Sequence, residues 1–371
     1  MEVGMTEGPA LVESAWRRDG AGQPPAEVLF ACVAEALDDA GLRKADVDVS
    51  VVASRDLYDA CSMSNGQLMP AAAGWQAHNA TRLETDFGAA LVLADSILRR
   101  GDAEVVLVSA VHQPQVADAG GQSFDALVSN LAAEPLYERG VGLTAATTLA
   151  LHASRAVATG ATSARALAET AADEITLGAE GKRAVRSGAT VGDDVLGSAV
   201  VAWPLTELML PAQTSGAVAM VLTTPERARA MGGARAHFLA HGMAAIGSLS
   251  AGDWLADPAD VARRAAAQAY RRAGLIEPAQ ELDVAEITAA SPALCGPLRE
   301  ALGLGGLADE RISPSGGVRS SFAGVANGGF RLLEAIEWLE RNDGKRALVH
   351  SADTLAGLLS ATTTVTLVER P

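Results

Sequence analysis

Glu84 and Asp86 stand two residues apart, just ahead of a helix predicted to open near Phe87. Acids in that position are favoured by the helix dipole and by the free amides of the first turn, so the pair reads as a cap and a buried polar anchor. The chemical reading is that a desolvated carboxyl there, Glu84 above all, has a raised pKa and serves as a general base. His350 ends the apolar strand KRALVH beside SADT, where an imidazole is either a general acid or base or a packed strand-end residue. His112, which closes VVLVSAVHQP, is second by position, and His78 and His241 have less support.

Ser315, Gly316 and Gly317 in SPSGG form a tight turn, which is either only a turn or a way of aiming backbone N–H groups at a carbonyl oxygen. Lys182, Arg183 and Arg186 make a local basic cluster, readable as a solvated face or as an anion contact. The three cysteines, Cys32, Cys61 and Cys295, fall singly, with no C-x-x-C and no Cys/His cluster. Neither a zinc site nor a disulfide framework is suggested, and no metal is expected. Cys61, in RDLYDACSMSNG, opens no buried helix and has no visible base; Cys32 and Cys295 read as packed helix residues.

The elements that must hold these groups occur twice. Residues 24–53 give an amphipathic helix, a stop at Gly41 and a β-branched strand from Val47. Residues 258–289 repeat that plan, with a stop at Gly274 and the strand in ELDVAEITA. A second pair, 88–110 and 328–352, matches as helix, tight polar turn and buried strand at nearly the same offset. Opening strands near 9–17 and 234–244 and closing strands near 217–223 and 362–369 complete two copies of one unit. Helices alternating with apolar strands predict mainly parallel sheets covered on both faces, packed through a shared helical layer. The expected α/β architecture is a five-layer α-β-α-β-α sandwich. Its halves are 1–225, with a helical, glycine-punctuated insertion at about 115–210, and 226–371. A long insertion on the rim of a rigid core is where binding loops sit, so this one is expected to cover the cleft.

A chain of 371 residues with 49% hydrophobic content can bury a large core, which excludes a disordered reading. A formal charge of −16 without a basic stripe argues against nucleic acid and anionic lipid as partners. The first residues, MEVGMTEGPALVESAWRRDG, lack the pattern of a signal peptide, and no stretch reaches membrane-spanning length, so a cytoplasmic protein is expected.

Four stretches resemble the thiolase superfamily, most closely its sterol-carrier-protein type. They are ALDDAGLRKADVD (36–48), AALVLADSILRRGDAEVVLVSA (89–110), DDVLGSAVVAWPLTELMLPAQTSGAVAMVLT (193–223) and SPSGGVRSSFAGVANGGFRLLEAIEWL (313–339). The resemblance implies a thiolase fold over nearly the whole chain. It also implies a nucleophilic cysteine at the N-terminus of a buried helix, and the matching position holds Glu84. The family's Gly-His-Pro motif falls near 322–324, where the sequence is Phe-Ala-Gly and Ala323 replaces the histidine. An oxyanion-hole asparagine or histidine would lie where Thr288 or Ala289 stands, and the second cysteine belongs in 355–364, which contains none. The SPSGG turn would face a thioester carbonyl, and the Lys182, Arg183, Arg186 cluster lies where thiolases contact coenzyme A.

The expected function is therefore a non-standard thiolase-like protein handling acyl-CoA, with coenzyme A thioester as substrate or ligand and no covalently bound cofactor. It would be a subunit completing an acyltransferase or thiolase complex, as homodimer or heterodimer with a second, cysteine-bearing chain. Such heteromers often recruit an OB-fold zinc-ribbon protein that holds acyl-CoA. One alternative is a retro-aldol lyase on a β-hydroxyacyl-CoA, which needs a base and an enolate pocket but no acyl-cysteine. The related steroid side-chain aldolases use tyrosines, however, and Tyr58, Tyr137 and Tyr270 lie elsewhere. The other alternative is a non-catalytic acyl-CoA-binding scaffold.

Overall fold

The computed structural model describes residues 7–18, 23–54, 64–74, 76–113, 130, 133–245, 255–352 and 362–371. Strands β1 (Ala10–Arg17), β2 (Val49–Ala53), β3 (Asn79–Leu83), β4 (Val105–His112) and β7 (Gly216–Thr223) belong to the first half. A small ribbon, β5 (Val200–Ala202) and β6 (Leu205–Thr206), stands apart from them. The second half contributes β8 (Ala236–Ala244), β9 (Val284–Ile287), β10 (Arg346–Ala352) and β11 (Thr363–Glu369).

The larger sheet runs β3-β2-β4-β7-β1-β8-β11-β10-β9. Read outward from the β1/β8 junction, β1-β7-β4-β2 in one direction matches β8-β11-β10-β9 in the other, which is the duplication in topological form. Where β3 would recur, the described residues show only an isolated parallel bridge between Ala285 and Ile312. The halves join through two residue pairs, Ala10 with His237 and Leu11 with Ala236. The sheet is not mainly parallel, contrary to the expectation. Only β2–β3, β2–β4 and β9–β10 are parallel, because β1, β7, β8 and β11 all pair antiparallel with their neighbours. The parallel pairs are those linked by helical crossovers, and the opening and closing strands of each half run against them.

Helices α1 (Pro25–Asp39) and α2 (Ser64–Ala71) cover the outer face of the first half-sheet, while α3 (Phe87–Arg100) covers its inner face. From the insertion come α4 (Ala145–Ala158) and α5 (Ala164–Leu177). The second half adds α6 (Asp260–Ala273), α7 (Cys295–Ala301) and the central α8 (Asn327–Asn342). Period-two side-chain alternation separates three cores. In β7, Ala217, Ala219 and Val221 face the α1 layer, while Val218, Met220 and Leu222 face the α3/α8 layer. A third core joins α6, α7, α4 and α5 to the outer face of the second half. Three cores between two half-sheets and three helical layers make the five-layer α-β-α-β-α sandwich.

α1 stops as its sequence dictates, with Gly41 in the left-handed region beyond the last turn. The strand after it begins at Val49, not Val47, because residues 44–46 form a short 3-10 turn first.

Candidate active site

The two helices of the central layer, α3 and α8, begin at the same place. Asp86 caps α3, its side chain accepting from the Gly88 amide at 2.7 Å. The second carboxylate oxygen accepts from the Gly328 amide in the first turn of α8 at 3.4 Å. Ser351, one residue beyond His350 on β10, donates its hydroxyl to the same carboxylate. So close an approach requires residues without side chains. A Cβ on Gly328 would run into Ser351 and Asp86, and one on Gly88 would run into Thr364. Asp86 is thus a buried anchor serving two helix N-termini, and the anion-binding position there is filled by the protein's own carboxylate.

Glu84 behaves differently. It is exposed at the end of β3, so it is not the desolvated carboxyl that the sequence suggested. The chain leaves the edge strand before it enters the core, and burial begins only at Asp86.

His350 is buried on β10, registered opposite Ile287 of β9 and Val365 of β11. The Thr288 amide donates to the His350 backbone carbonyl at 3.2 Å and, as a bifurcated second contact, to its Nδ1 at 3.3 Å. Burial lowers its pKa to about 4, so the ring is neutral at ordinary pH. Thr288 is fully buried, and its hydroxyl accepts from Asn327 Nδ2 at 2.9 Å. Asn327, also fully buried, opens α8 and leaves Oδ1 without a partner. Ala323 lies in the central core just ahead of α8, and a Cβ on its neighbour Gly324 would enter the ring of His112. His112, at the end of β4, is fully buried. The structure therefore gathers Asp86, Thr288 and Ala323 at one end of the central layer, while His350, alternating with Val349 and Ser351 along β10, shares the opposite face with Leu348, Ile287 and Val365. It adds Ser351 and Asn327, which the sequence reading passed over. Their only local signals were a polar residue following the strand-end histidine and an asparagine heading an amphipathic helix.

The SPSGG segment is a turn, with Gly316 and Gly317 both at positive φ. Its amides are already used: Ser315 N–H donates to Glu286, Gly316 N–H to the Ser313 carbonyl, and Gly317 N–H to the Ser315 hydroxyl. Arg331 of α8 pairs with Glu286 at 3.1 Å and donates to Ser315 at 2.6 Å. Burial pushes the Glu286 carboxyl up, while the Arg331 charge works against that. The turn fastens β9 to α8 and does not present its amides to a carbonyl.

The basic cluster is also internal. The fully buried Arg183 side chain pairs with Glu334 at 2.9 Å and Glu337 at 2.5 Å on α8, and lies 4.8 Å over the ring of Trp16. Burial alone would raise the Glu337 carboxyl, but Arg183 and Lys182 more than offset it and hold it below its usual range. Arg186 donates to the carbonyls of Leu210 at 3.0 Å and Leu208 at 3.5 Å. Only Lys182, 3.3 Å from Glu337, keeps an exposed side chain. A phosphate clamp needs uncommitted charge, and two of these three cations are committed to the fold.

Cys32 is buried in the outer layer of the first half, and burial pushes its thiol up. Cys295 opens α7, is also pushed up by burial, and donates to Glu174 at 3.6 Å. Tyr270 lies in α6 and donates to the Leu302 carbonyl at 2.5 Å, and Tyr137 is exposed. Cys61, Tyr58 and most of the 355–364 stretch lie outside the described residues. Among the described residues no helix is long and apolar enough to cross a membrane, and no cluster of three or more His, Cys, Asp or Glu could hold a metal ion.

No protein-family model matches this sequence, and no curated protein matches it. Solved structures do. A monomeric SCP2-thiolase-like protein type 1 (STLP1) from Mycobacterium smegmatis superposes with a TM-score of 0.74 at 14% identity, over 97% of this chain and 77% of that one. The Ltp2-ChsH2(DUF35) aldolase superposes with a TM-score of 0.76 at 17% identity, over 99% of this chain and 98% of that one. At such identities the likeness speaks for architecture: the chain has a thiolase-like fold.

Proposed function

We propose that this protein is a thiolase-like subunit that binds acyl-CoA thioesters and works within a heteromeric assembly, with no acyl-cysteine chemistry of its own. The observation that carries this reading is the Asp86 carboxylate at the joint N-termini of α3 and α8. A nucleophilic thiolate placed there would be stabilised by those same amides, and they are already satisfied by a carboxylate, which has no sulfur on which an acyl-thioester could form. The partners that suit it are a cysteine-bearing thiolase-like chain and a small OB-fold zinc-ribbon protein. The likeness to an aldolase whose name pairs Ltp2 with ChsH2(DUF35), over nearly the full length of both chains, supports assembly with a chain of another kind.

That same likeness favours a second reading, retro-aldol cleavage of a β-hydroxyacyl-CoA. Exposed Glu84 is then the candidate base, since Asp86 is consumed by capping. One experiment weighs both readings. The chain is co-expressed with any thiolase-like and zinc-ribbon proteins encoded beside it, fractionated by size, and assayed with an acyl-CoA and with a β-hydroxyacyl-CoA. Co-elution with condensation or thiolysis activity only in the complex supports the first reading, and cleavage of the β-hydroxyacyl-CoA supports the second. A stable homodimer that takes neither partner and binds neither thioester would sink both.

A further inference from the structure

Arg319 stands in the short turn that follows SPSGG, and its side chain is fully buried. Two of its nitrogens donate to backbone carbonyls, of Ala290 at 3.2 Å and of Ala289. The third, Nε, pairs at 3.1 Å with Glu174, which belongs to α5 of the insertion. The two carbonyls lie in the segment 288–291, which leaves β9 and is buried throughout. At its near end the Thr288 hydroxyl accepts from Asn327 at the head of α8. Just beyond its far end Cys295 opens α7 and donates to Glu174 at 3.6 Å. One carboxylate of the insertion therefore touches both the guanidinium that holds this segment and the helix into which the segment runs.

The residue types fit that arrangement. Buried carbonyls outside a sheet need donors, and the planar fork of an arginine can serve two carbonyls and a carboxylate at once. A fully buried cation in turn needs a counter-charge, which Glu174 supplies only while α5 is seated. The seat is close. A Cβ on Gly178 would run into the Ser320 side chain, and one on Gly316 would run into the Glu174 carbonyl and Gly178. The amides of Val185 and Arg186 both donate to the Ser320 carbonyl, at 2.8 and 3.1 Å. Surfaces packed this tightly dock or separate and do not slide by degrees.

We infer that Glu174 and Arg319 are positioning residues through which the seated insertion fixes the 288–291 segment at the end of the central layer, so that acyl-thioester binding depends on the insertion being docked. This rests on the acyl-thioester reading proposed above. It makes the insertion a working part of the site, because the segment that carries Thr288 is held by a cation whose only charge partner at ion-pair distance among the described residues comes from α5.

The test separates this role from plain stabilisation. An acyl-CoA is titrated calorimetrically into the full chain, with any partners that co-purify, and amide exchange is followed across 288–295 and α5. Arg319→Met and Glu174→Gln each orphan a buried partner, so each should lower both stability and affinity. The double variant orphans no charge and should regain much of the stability. It still leaves the two carbonyls without their donor, so its acyl-CoA affinity should stay roughly tenfold below wild type, about the worth of one buried hydrogen bond, with faster exchange across 288–295. Arg319→Lys, which keeps the charge and loses the fork, should recover part of that affinity. In wild-type protein, which needs no variant to fold, acyl-CoA should slow exchange in 288–295 and in α5 together. Affinity that returns along with stability in the double variant, or protection confined to one of the two regions, overturns the coupling and leaves the acyl-CoA reading standing. If wild type binds no acyl-CoA, that reading fails, and the dependence of binding on docking fails with it.

Discussion

Asp86 is asked to satisfy three donors at once, the amides of Gly88 and Gly328 and the hydroxyl of Ser351. Losing a helix cap costs about 1 kcal/mol, and each buried donor left unpaired adds roughly 1–3 kcal/mol. Asp86→Ala should therefore destabilise the protein by about 3 kcal/mol or more. Asp86→Asn should cost less, since one amide oxygen can still cap α3 while the favourable charge at two helix N-termini is lost. Urea denaturation of the two variants against wild type reads this directly, and equal losses, or an alanine variant within about 0.5 kcal/mol of wild type, would mean that Asp86 is not the shared anchor. Half of this was readable in the sequence, because an acid ahead of an amphipathic helix announces a cap. The other half was not, since Ser351 lies 265 residues away and only the packing of α3 against β10 and α8 brings it to Asp86. Glu84 failed as a buried residue for a related reason: sequence shows where a strand ends but not how many residues pass before the chain enters the core.

At the scale of elements, the duplicated helices and their glycine stops could be read from period and punctuation, and the sheet direction could not. Strand β7 is as apolar as β4, and β11 mixes apolar and small polar residues much as β10 does; nothing in such a run records which way it points. The Lys182, Arg183, Arg186 cluster misled by the same blindness to distance. Its counter-charges, Glu334 and Glu337, lie one helical turn apart on α8, more than 150 residues on. Through Arg183 the insertion is clamped onto the central layer. Breaking one side of a buried pair costs about 3–5 kcal/mol because the charge left behind has no partner. Arg183→Met should incur a loss of that order and raise hydrogen exchange across α5 and the segment that follows it. The triple replacement Arg183→Met, Glu334→Gln, Glu337→Gln should recover much of the stability, since it leaves no orphaned charge. Unchanged exchange in α5 of the single variant would show that the insertion is held by its apolar contacts instead.

For the molecule as a whole, three cores between two half-sheets bury titratable groups deeply, and two histidines make the consequence measurable. His241 on β8 has a pKa lowered to about 4, chiefly by burial, with Asp95 at 3.8 Å opposing that and Arg99 and Arg272 reinforcing it. His350 is lowered to about 4 by burial. An unfolded chain protonates each near pH 6.5, whereas the folded protein keeps both neutral down to about pH 4. Stability is therefore intact above pH 6.5 and drains away as pH falls through that window, by about 3 kcal/mol per histidine at its lower end. The global charge works in the opposite direction. A chain of net charge −16 sheds self-repulsion as pH approaches its isoelectric point near 4.8, which favours the compact state. The wild-type pH profile mixes the two effects, and a difference between variants separates them. Denaturation midpoints measured from pH 7.5 to 4.5 should fall for wild type relative to His241→Gln, with the gap closing only above pH 6.5. His241 is the better choice for this measurement than His350, because it lies outside the polar chain of Thr288 and Asn327 and its loss leaves that site in place. If wild type and His241→Gln lose stability in parallel down to pH 4.5, the buried imidazole is not what limits the fold in acid.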